Sequence, residues 1–222
     1  MNVELVLLLL ESVLLVVTLV LLVYNIHEGR QRANLLAEVG RATKVLTRQE
    51  YFYTLIETML DAKEEIVGCI TGRPPAGDDI PLMRHLIGTI EKMAAKKVRI
   101  RYLLPKFPDR LQVGVSYARA GAEVFFSSCL MVHNIRYSII DGRVVVLGIP
   151  EATGEMEATK KGYRIPSEEL AAILKNYFNS CENRIGIAEY LEEIIEQTGA
   201  TPEVLAREFL LDRRELKTLL RK

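Results

Sequence analysis

The feature that most constrains this chain is an apolar run near its amino terminus. Leu5–Tyr24 is almost wholly apolar, and about 20 residues suffice for a helix to cross a hydrocarbon core of about 30 Å. A cleaved signal peptide fits less well, because the preceding residues include Glu4 but no Lys or Arg, and no small-residue cleavage site follows. We therefore expect residues 1–25 to form a transmembrane anchor in contact with membrane lipids.

Basic residues follow the apolar run and set its orientation: His27, Arg30, Arg32, Arg41, Lys44 and Arg48. Positive charge stays on the cytoplasmic side, so we expect a single-pass protein of the cell membrane with its amino terminus outside and its soluble domain cytoplasmic. Residues 26–46 predict a charged, helical juxtamembrane connector. Of three widely spaced cysteines, Cys69 and Cys129 stand among apolar residues and are predicted to be small core residues. Together with Cys181, their odd number and spacing favour a reducing compartment.

A polar stripe runs along the same segment. Glu4, Glu11, Thr18 and Asn25 recur every seven residues, which places them on one face of a nearly straight helix. One interpretation is a self-association face with hydrogen bonds between helices, which predicts a homodimer. The other is a single anchor in which the Glu11 carboxyl group reaches toward the membrane interface.

After the connector, helix and strand patterns alternate. Thr47 and Glu50 have the spacing of a capping box, which predicts the start of a helix and of the soluble domain. This alternation is typical of an α/β domain with a parallel or mixed sheet. Apolar alternation or runs predict strands at 66–71, 98–104 and 123–127, and amphipathic spacing predicts helices at 81–97 and 109–120.

Residues 134–148, NIRYSIIDGRVVVLG, predict a β-hairpin around an Asp-Gly turn. The hairpin resembles the H-x-K-x4-D (HKD) motif of the phospholipase D superfamily. Asp141 matches the motif aspartate, Arg136 falls on the motif lysine, and Asn134 falls on the motif histidine. The segments KKVRIRYLLP, YARAGAEVFF and 161–180 extend the resemblance. It therefore covers 47–183 and implies one half of a phospholipase D-like sandwich, a mixed sheet flanked by helices.

The resemblance also implies which chemistry is missing. In that superfamily two motifs, in one chain or across a dimer, supply a histidine nucleophile, a second histidine that protonates the leaving group, and lysines that hold the phosphate. The carboxamide of Asn134 is neither a useful nucleophile nor a proton shuttle, whereas Arg136 can still hold an anion. Glu151, where the superfamily carries an asparagine, would repel an anion. His133 falls on the opposite face of the strand, and Asp141 is also simply a good turn residue.

We therefore expect a degenerate motif pocket with no catalytic residue, formed by Asn134, Arg136, Asp141 and Glu151. Such a protein would act by binding, as a membrane-anchored scaffold or sensor. An active phosphodiesterase working as a dimer is the alternative. The spacing of histidines and cysteines indicates no metal site, and no cofactor is expected.

Residues 184–222 predict a separate helical module. Its last 22 residues resemble a helix-turn-helix in which Arg213, Arg214 and Lys217 would face the major groove of DNA. This reading would make the chain a membrane-tethered transcription regulator. From residue 185 on, however, six Lys and Arg stand against eight Asp and Glu, a weak footprint for a phosphate backbone. A module that docks a protein partner is the other interpretation.

The first prediction concerns hydrolysis. We expect the purified protein to show no metal-independent turnover of a phosphodiester, because an amide occupies the position of the motif histidine. Turnover that disappears in Arg136→Ala would contradict this prediction.

Overall fold

A computed structural model of the chain describes residues 13–24, 44–75, 77, 79–129, 135–150 and 159–208. The chain divides into two compact units, Met1–Arg41 and Ala42–Lys222. In the first, residues 13–24 are helical. Over the described ranges, no helix is both long enough and apolar enough to cross a membrane. The predicted span begins in residues outside these ranges, so it stays a prediction.

The second unit alternates helices and strands, as predicted. The strands are β1 (Lys44–Leu46), β2 (Glu65–Cys69), β3 (Arg99–Pro105), β4 (Glu123–Ser127), β5 (Arg136–Ile140), β6 (Val144–Pro150), β7 (Thr159–Pro166) and β8 (Ile185–Gly186). The helices are α1 (Arg48–Leu60), α2 (Asp79–Ala95), α3 (Leu111–Arg119), α4 (Glu168–Ser180), α5 (Ile187–Thr198) and α6 (Pro202–Glu208), with a short 3-10 turn at Pro108–Arg110.

These strands form one mixed sheet in the order β1-β7-β6-β5-β2-β3-β4-β8. The pairs β2–β3 and β3–β4 are parallel, and the remaining pairs are antiparallel. The α/β prediction with a mixed sheet flanked by helices is confirmed. The predicted helical connector differs at its end, because residues 44–46 pair with β7 and are extended.

Local signals explain where α1 begins. The Thr47 backbone N–H donates to Glu50 Oε2 at 2.8 Å, and the Glu50 backbone N–H donates to Thr47 Oγ1 at 3.4 Å. The predicted capping box is therefore confirmed. It satisfies two backbone donors that have no partner within the helix.

Helices cover both faces of the sheet. α1, α2 and α3 pack on one face, against side chains that include Ile100 and Ile140. α4 packs on the other face, where the Tyr137 hydroxyl donates to the backbone oxygen of Leu174 at 3.0 Å. Successive strand residues point to opposite faces, so Arg136 and Ser138 face the α1–α3 side.

The first part of the predicted carboxy-terminal module belongs to the same core. β8 pairs with β4, and Leu191 and Ile194 of α5 are buried. The rings of Phe126 and Tyr190 stack with their centroids 4.5 Å apart. The predicted boundary at 183/184 therefore does not mark an edge of the core, because the apolar face of α5 packs against the sheet.

The second prediction tests how α1 is seated on the sheet. A Cβ at Gly162 of β7 would lie 2.6 Å from Tyr51 Cδ2 and 2.9 Å from Tyr51 Cβ. We expect Gly162→Ala to lower the free energy of unfolding by about 1–3 kcal/mol through overpacking, measured by urea unfolding.

The matched control is Gly88→Ala in α2, where an added Cβ meets no atom within 4 Å. This change should raise the free energy of unfolding by up to about 1 kcal/mol, because alanine is the better helix former. A Gly162→Ala protein as stable as Gly88→Ala would contradict the packing described.

Candidate functional site

A cavity of about 550 Å³ lies between the sheet and helices α1, α2 and α3. Ile70, Thr71 and Gly72, which follow β2 directly, form part of its wall. The cavity therefore opens at the carboxyl end of the parallel strands, where ligands commonly bind in α/β folds. Its volume is within the range of small-molecule sites.

Gly68 of β2 makes room for the Tyr102 ring, which forms part of the cavity wall. A Cβ at Gly68 would lie 2.8 Å from the Tyr102 ring and 2.6 Å from the backbone oxygen of Tyr137. The Tyr102 ring therefore lies directly over the β2 backbone. Beside it, the Ser138 side chain is buried.

Two buried tyrosines present hydroxyl groups in this region. The Tyr102 hydroxyl contacts Met59 Sδ at 3.9 Å, and the Tyr117 hydroxyl contacts Met83 Sδ at 3.7 Å. Thioether sulfur is a weak acceptor, so both hydroxyls can still donate to a ligand. Burial raises the pKa of Tyr102 and of Tyr117 above the ordinary value. Both groups therefore stay protonated at neutral pH and act as donors, not as bases.

Arg136 is the motif residue that the structure places in the cavity wall. Its side chain is half-buried and close to Tyr51. Burial raises the pKa of Tyr51 to about 12, and the positive charge of Arg136 opposes that rise. An anion entering the cavity would thus meet a guanidinium group next to a neutral phenol.

Other charged side chains also line the cavity, namely Arg73, Asp79 and Asp109. Asp109 Oδ2 lies 3.3 Å from Arg110 Nη1, and the Asp109 side chain is 58% exposed. Its carboxylate is therefore at the mouth. This arrangement favours an anionic group near Arg136 and disfavours one near Asp109.

Asp141 is at the other end of the hairpin. Its carboxylate accepts hydrogen bonds from the backbone N–H groups of Lys63, Glu64 and Glu65 at 2.8, 2.9 and 3.0 Å. At about 3.4 Å per residue, position 141 lies roughly 17 Å along the strand from position 136. The hairpin thus separates two residues that the sequence analysis placed in one pocket, because the aspartate belongs to the turn.

Several predicted site residues lie outside the described residues, so their roles stay predictions. They are Asn134 and Glu151 of the motif, Glu4 and Glu11 of the membrane stripe, and Arg213, Arg214 and Lys217 of the proposed DNA-contact face. Thr18 is described, and its hydroxyl donates to the Leu14 backbone oxygen at 2.8 Å. Its donor is satisfied within its own helix.

The cavity contains functional groups that the sequence did not single out. Tyr51, Tyr102 and Tyr117 come from α1, β3 and α3, and no local motif links them. Strand alternation places Ser138 on the same face as Arg136. Among the described lining residues there is no histidine. No cluster of three or more His, Cys, Asp or Glu within the described ranges could hold a metal ion.

The third prediction concerns the Asp141 carboxylate. Burial acts to raise the pKa of Asp141, but the three backbone N–H donors outweigh it, so this pKa lies below its ordinary value of 3.8. Asp141→Asn keeps a residue that tolerates the positive φ of 49°. We expect it to lower the free energy of unfolding by about 1–3 kcal/mol at neutral pH.

The stability difference between wild type and Asp141→Asn should depend on pH. A depressed carboxyl pKa stabilises the fold above pH 3.8, and this stabilisation is lost as pH falls through the folded-state value. The stability difference between wild type and Asp141→Asn should therefore be full at neutral pH and shrink below about pH 4. Asp61→Asn, at the exposed end of α1, is the matched control. A difference that stayed constant down to low pH would refute this role.

No protein-family model matches the chain, and no curated protein is significantly similar to it in sequence. Solved structures do match. NucT from Helicobacter pylori superposes with a TM-score of 0.51 at 14% identity, over 65% of this chain and 98% of that chain.

Two further structures match less closely. Nuc from Salmonella typhimurium, a phospholipase D family member, has a TM-score of 0.48 at 12% identity, over 65% of this chain and 97% of its own. TrmBL2, an archaeal chromatin protein, has a TM-score of 0.42 at 18% identity, over 71% of this chain and 61% of its own. The similarity concerns the fold, and on the NucT match this chain has a phospholipase D-like fold.

Proposed function

We propose that this chain is a membrane-anchored protein of the phospholipase D superfamily that binds an amphipathic, anionic ligand and does not hydrolyse it. The observation that carries the proposal is the cavity of about 550 Å³, which combines the Arg136 guanidinium with aromatic and aliphatic walls. The HKD-like hairpin and the fold shared with NucT support the family assignment.

The groups around the cavity define the ligand by its chemistry. A phosphate or carboxylate next to Arg136 would accept charge-assisted hydrogen bonds, which are stronger than neutral ones. The hydroxyls of Tyr102 and Tyr117 can add neutral donors. The apolar body of the ligand would then lie against side chains such as Leu55 and Val113. A small, fully polar anion would leave this apolar wall unused.

The same groups argue against hydrolysis. Phosphodiester cleavage by this superfamily requires a histidine nucleophile, and the amide of Asn134 occupies that position in the motif. The buried tyrosines cannot substitute as bases, because burial raises the pKa of Tyr102 and Tyr117. What the site retains is the ability to bind an anion.

The amino-terminal segment supports membrane attachment. In the described helix at 13–24, Leu15 is 65% exposed and Val23 is 64% exposed. Exposing a whole helix of such side chains to water is unfavourable, whereas a bilayer buries them. A tethered domain that recognises an amphiphile would serve as a sensor or scaffold. We include in the proposal a homodimer formed through the stripe that contains Glu4 and Glu11.

The fourth prediction tests the ligand class. Hexyl phosphate is titrated into the full chain, reconstituted in phosphatidylcholine nanodiscs, by isothermal calorimetry, with hexanol as the uncharged comparison. We expect hexyl phosphate to bind more tightly. Arg136→Ala should weaken its binding about tenfold or more, because a hydrogen bond to a charged group contributes about 1.5–3 kcal/mol.

The matched control is Arg143→Ala. Arg143 is on the same hairpin, but its side chain is 75% exposed and pairs with Glu168 at 3.7 Å. This variant should bind hexyl phosphate like wild type. Equal losses in both variants would indicate non-specific attraction, and either that result or no loss in Arg136→Ala would refute the site.

A further inference from the structure

Three cysteines that are far apart in the sequence come together near the end of α4, on the face of the sheet opposite the cavity. Cys69 Sγ donates to the Tyr137 hydroxyl at 3.1 Å. Cys181 Sγ lies 2.9 Å from Ser127 Oγ, and the Cys129 backbone N–H donates to the same oxygen at 3.1 Å. A single serine hydroxyl thus contacts both Cys129 and Cys181.

Cys129 and Cys181 are also linked through α4. Cys129 Sγ lies 2.6 Å from the hydroxyl of Tyr177, one turn before Cys181 at the end of the helix. Burial raises the pKa of the Cys181 thiol, and the neighbouring Cys129 thiol raises it further. The contacts through Ser127 and Tyr177 therefore hold Cys129 beside the end of α4, where Cys181 lies.

The three thiols differ in accessibility. Cys129 is half-buried, whereas Cys181 is 6% exposed and Cys69 is fully buried. Burial raises the pKa of Cys69 to about 12, so its thiol stays protonated and unreactive. A reagent from solvent therefore reaches Cys129 first, with Cys181 behind it.

We propose that Cys129 and Cys181 form a peroxide-sensitive modification site, with Cys129 as the attacking thiol and Cys181 as the resolving thiol. The Cys129 thiolate attacks one oxygen of a hydroperoxide; an S–O bond forms, the O–O bond breaks, and hydroxide or alkoxide leaves. Cys181 sulfur then attacks the sulfenic sulfur; the S–S bond forms, the S–O bond breaks, and the oxygen leaves as water with the Cys181 proton. The two sulfurs together lose two electrons, which reduce the peroxide.

The disulfide would close a loop that contains β5, β6, β7 and α4. Cys129 lies upstream of β5, which carries Arg136 into the cavity wall. Oxidation would thus join Cys129, upstream of β5, covalently to Cys181 at the end of α4. In a reducing compartment such a bond would form only under oxidative load.

The fifth prediction is tested on the full chain in nanodiscs, treated with hydrogen peroxide. Free thiols are counted by maleimide labelling, and non-reduced peptides are mapped by mass spectrometry. We expect wild type to lose two of its three free thiols and to yield a peptide that links Cys129 to Cys181 within one chain. Reduction with dithiothreitol should restore all three.

The variants separate the two roles. Cys181→Ser should accumulate a Cys129 sulfenic acid that dimedone traps, Cys129→Ser should lose no thiol, and the control Cys69→Ala should behave like wild type. The proposal is overturned if wild-type Cys129 accumulates sulfenic acid as readily as Cys181→Ser, or if the linked peptide joins Cys129 to any other cysteine. The mapping of wild type needs no substitution, so it holds even if a variant folds poorly.

Discussion

The antiparallel pairing of β5 with β2 is the contact on which the rest of this domain depends. On one side of it lie the parallel strands β3 and β4, and on the other side lie the antiparallel strands β6, β7 and β1. Its register places Tyr137 opposite Cys69 and Ile140 opposite Ile66. Since the register is fixed, Arg136 and Ser138 reach the carboxyl end of the parallel strands, where the cavity opens.

Asp141 reinforces that register from the opposite end. Its carboxylate joins the hairpin turn to three consecutive N–H groups, two just before β2 and one at its first residue. A shift of one residue would break these bonds and turn Arg136 away from the cavity. The two charged residues of the hairpin therefore have separate positions: Arg136 lies in the cavity wall, and Asp141 holds the strand in place.

The sequence predicted the order of helices and strands because their signals are local. The capping box at Thr47 and the alternation in β5 needed no tertiary information. The composition of the cavity could not be predicted this way, because its tyrosines come from separate elements that only the packing of α1 and α3 on the sheet brings together. The proximity of Cys129 and Cys181 could not be predicted for the same reason, since 52 positions separate them in the sequence.

The glycine beneath Tyr102 has a consequence for how a ligand would enter. Because the Tyr102 ring lies directly on main chain at Gly68, the depth of the recess is set by rigid strands and by a ring with few accessible rotamers. The cavity would already have its final shape before a ligand enters. Little binding free energy would therefore be lost in ordering the protein. Selectivity would then come from the outline of the recess, and larger or smaller homologues of one amphiphile should be sorted by size as well as by charge.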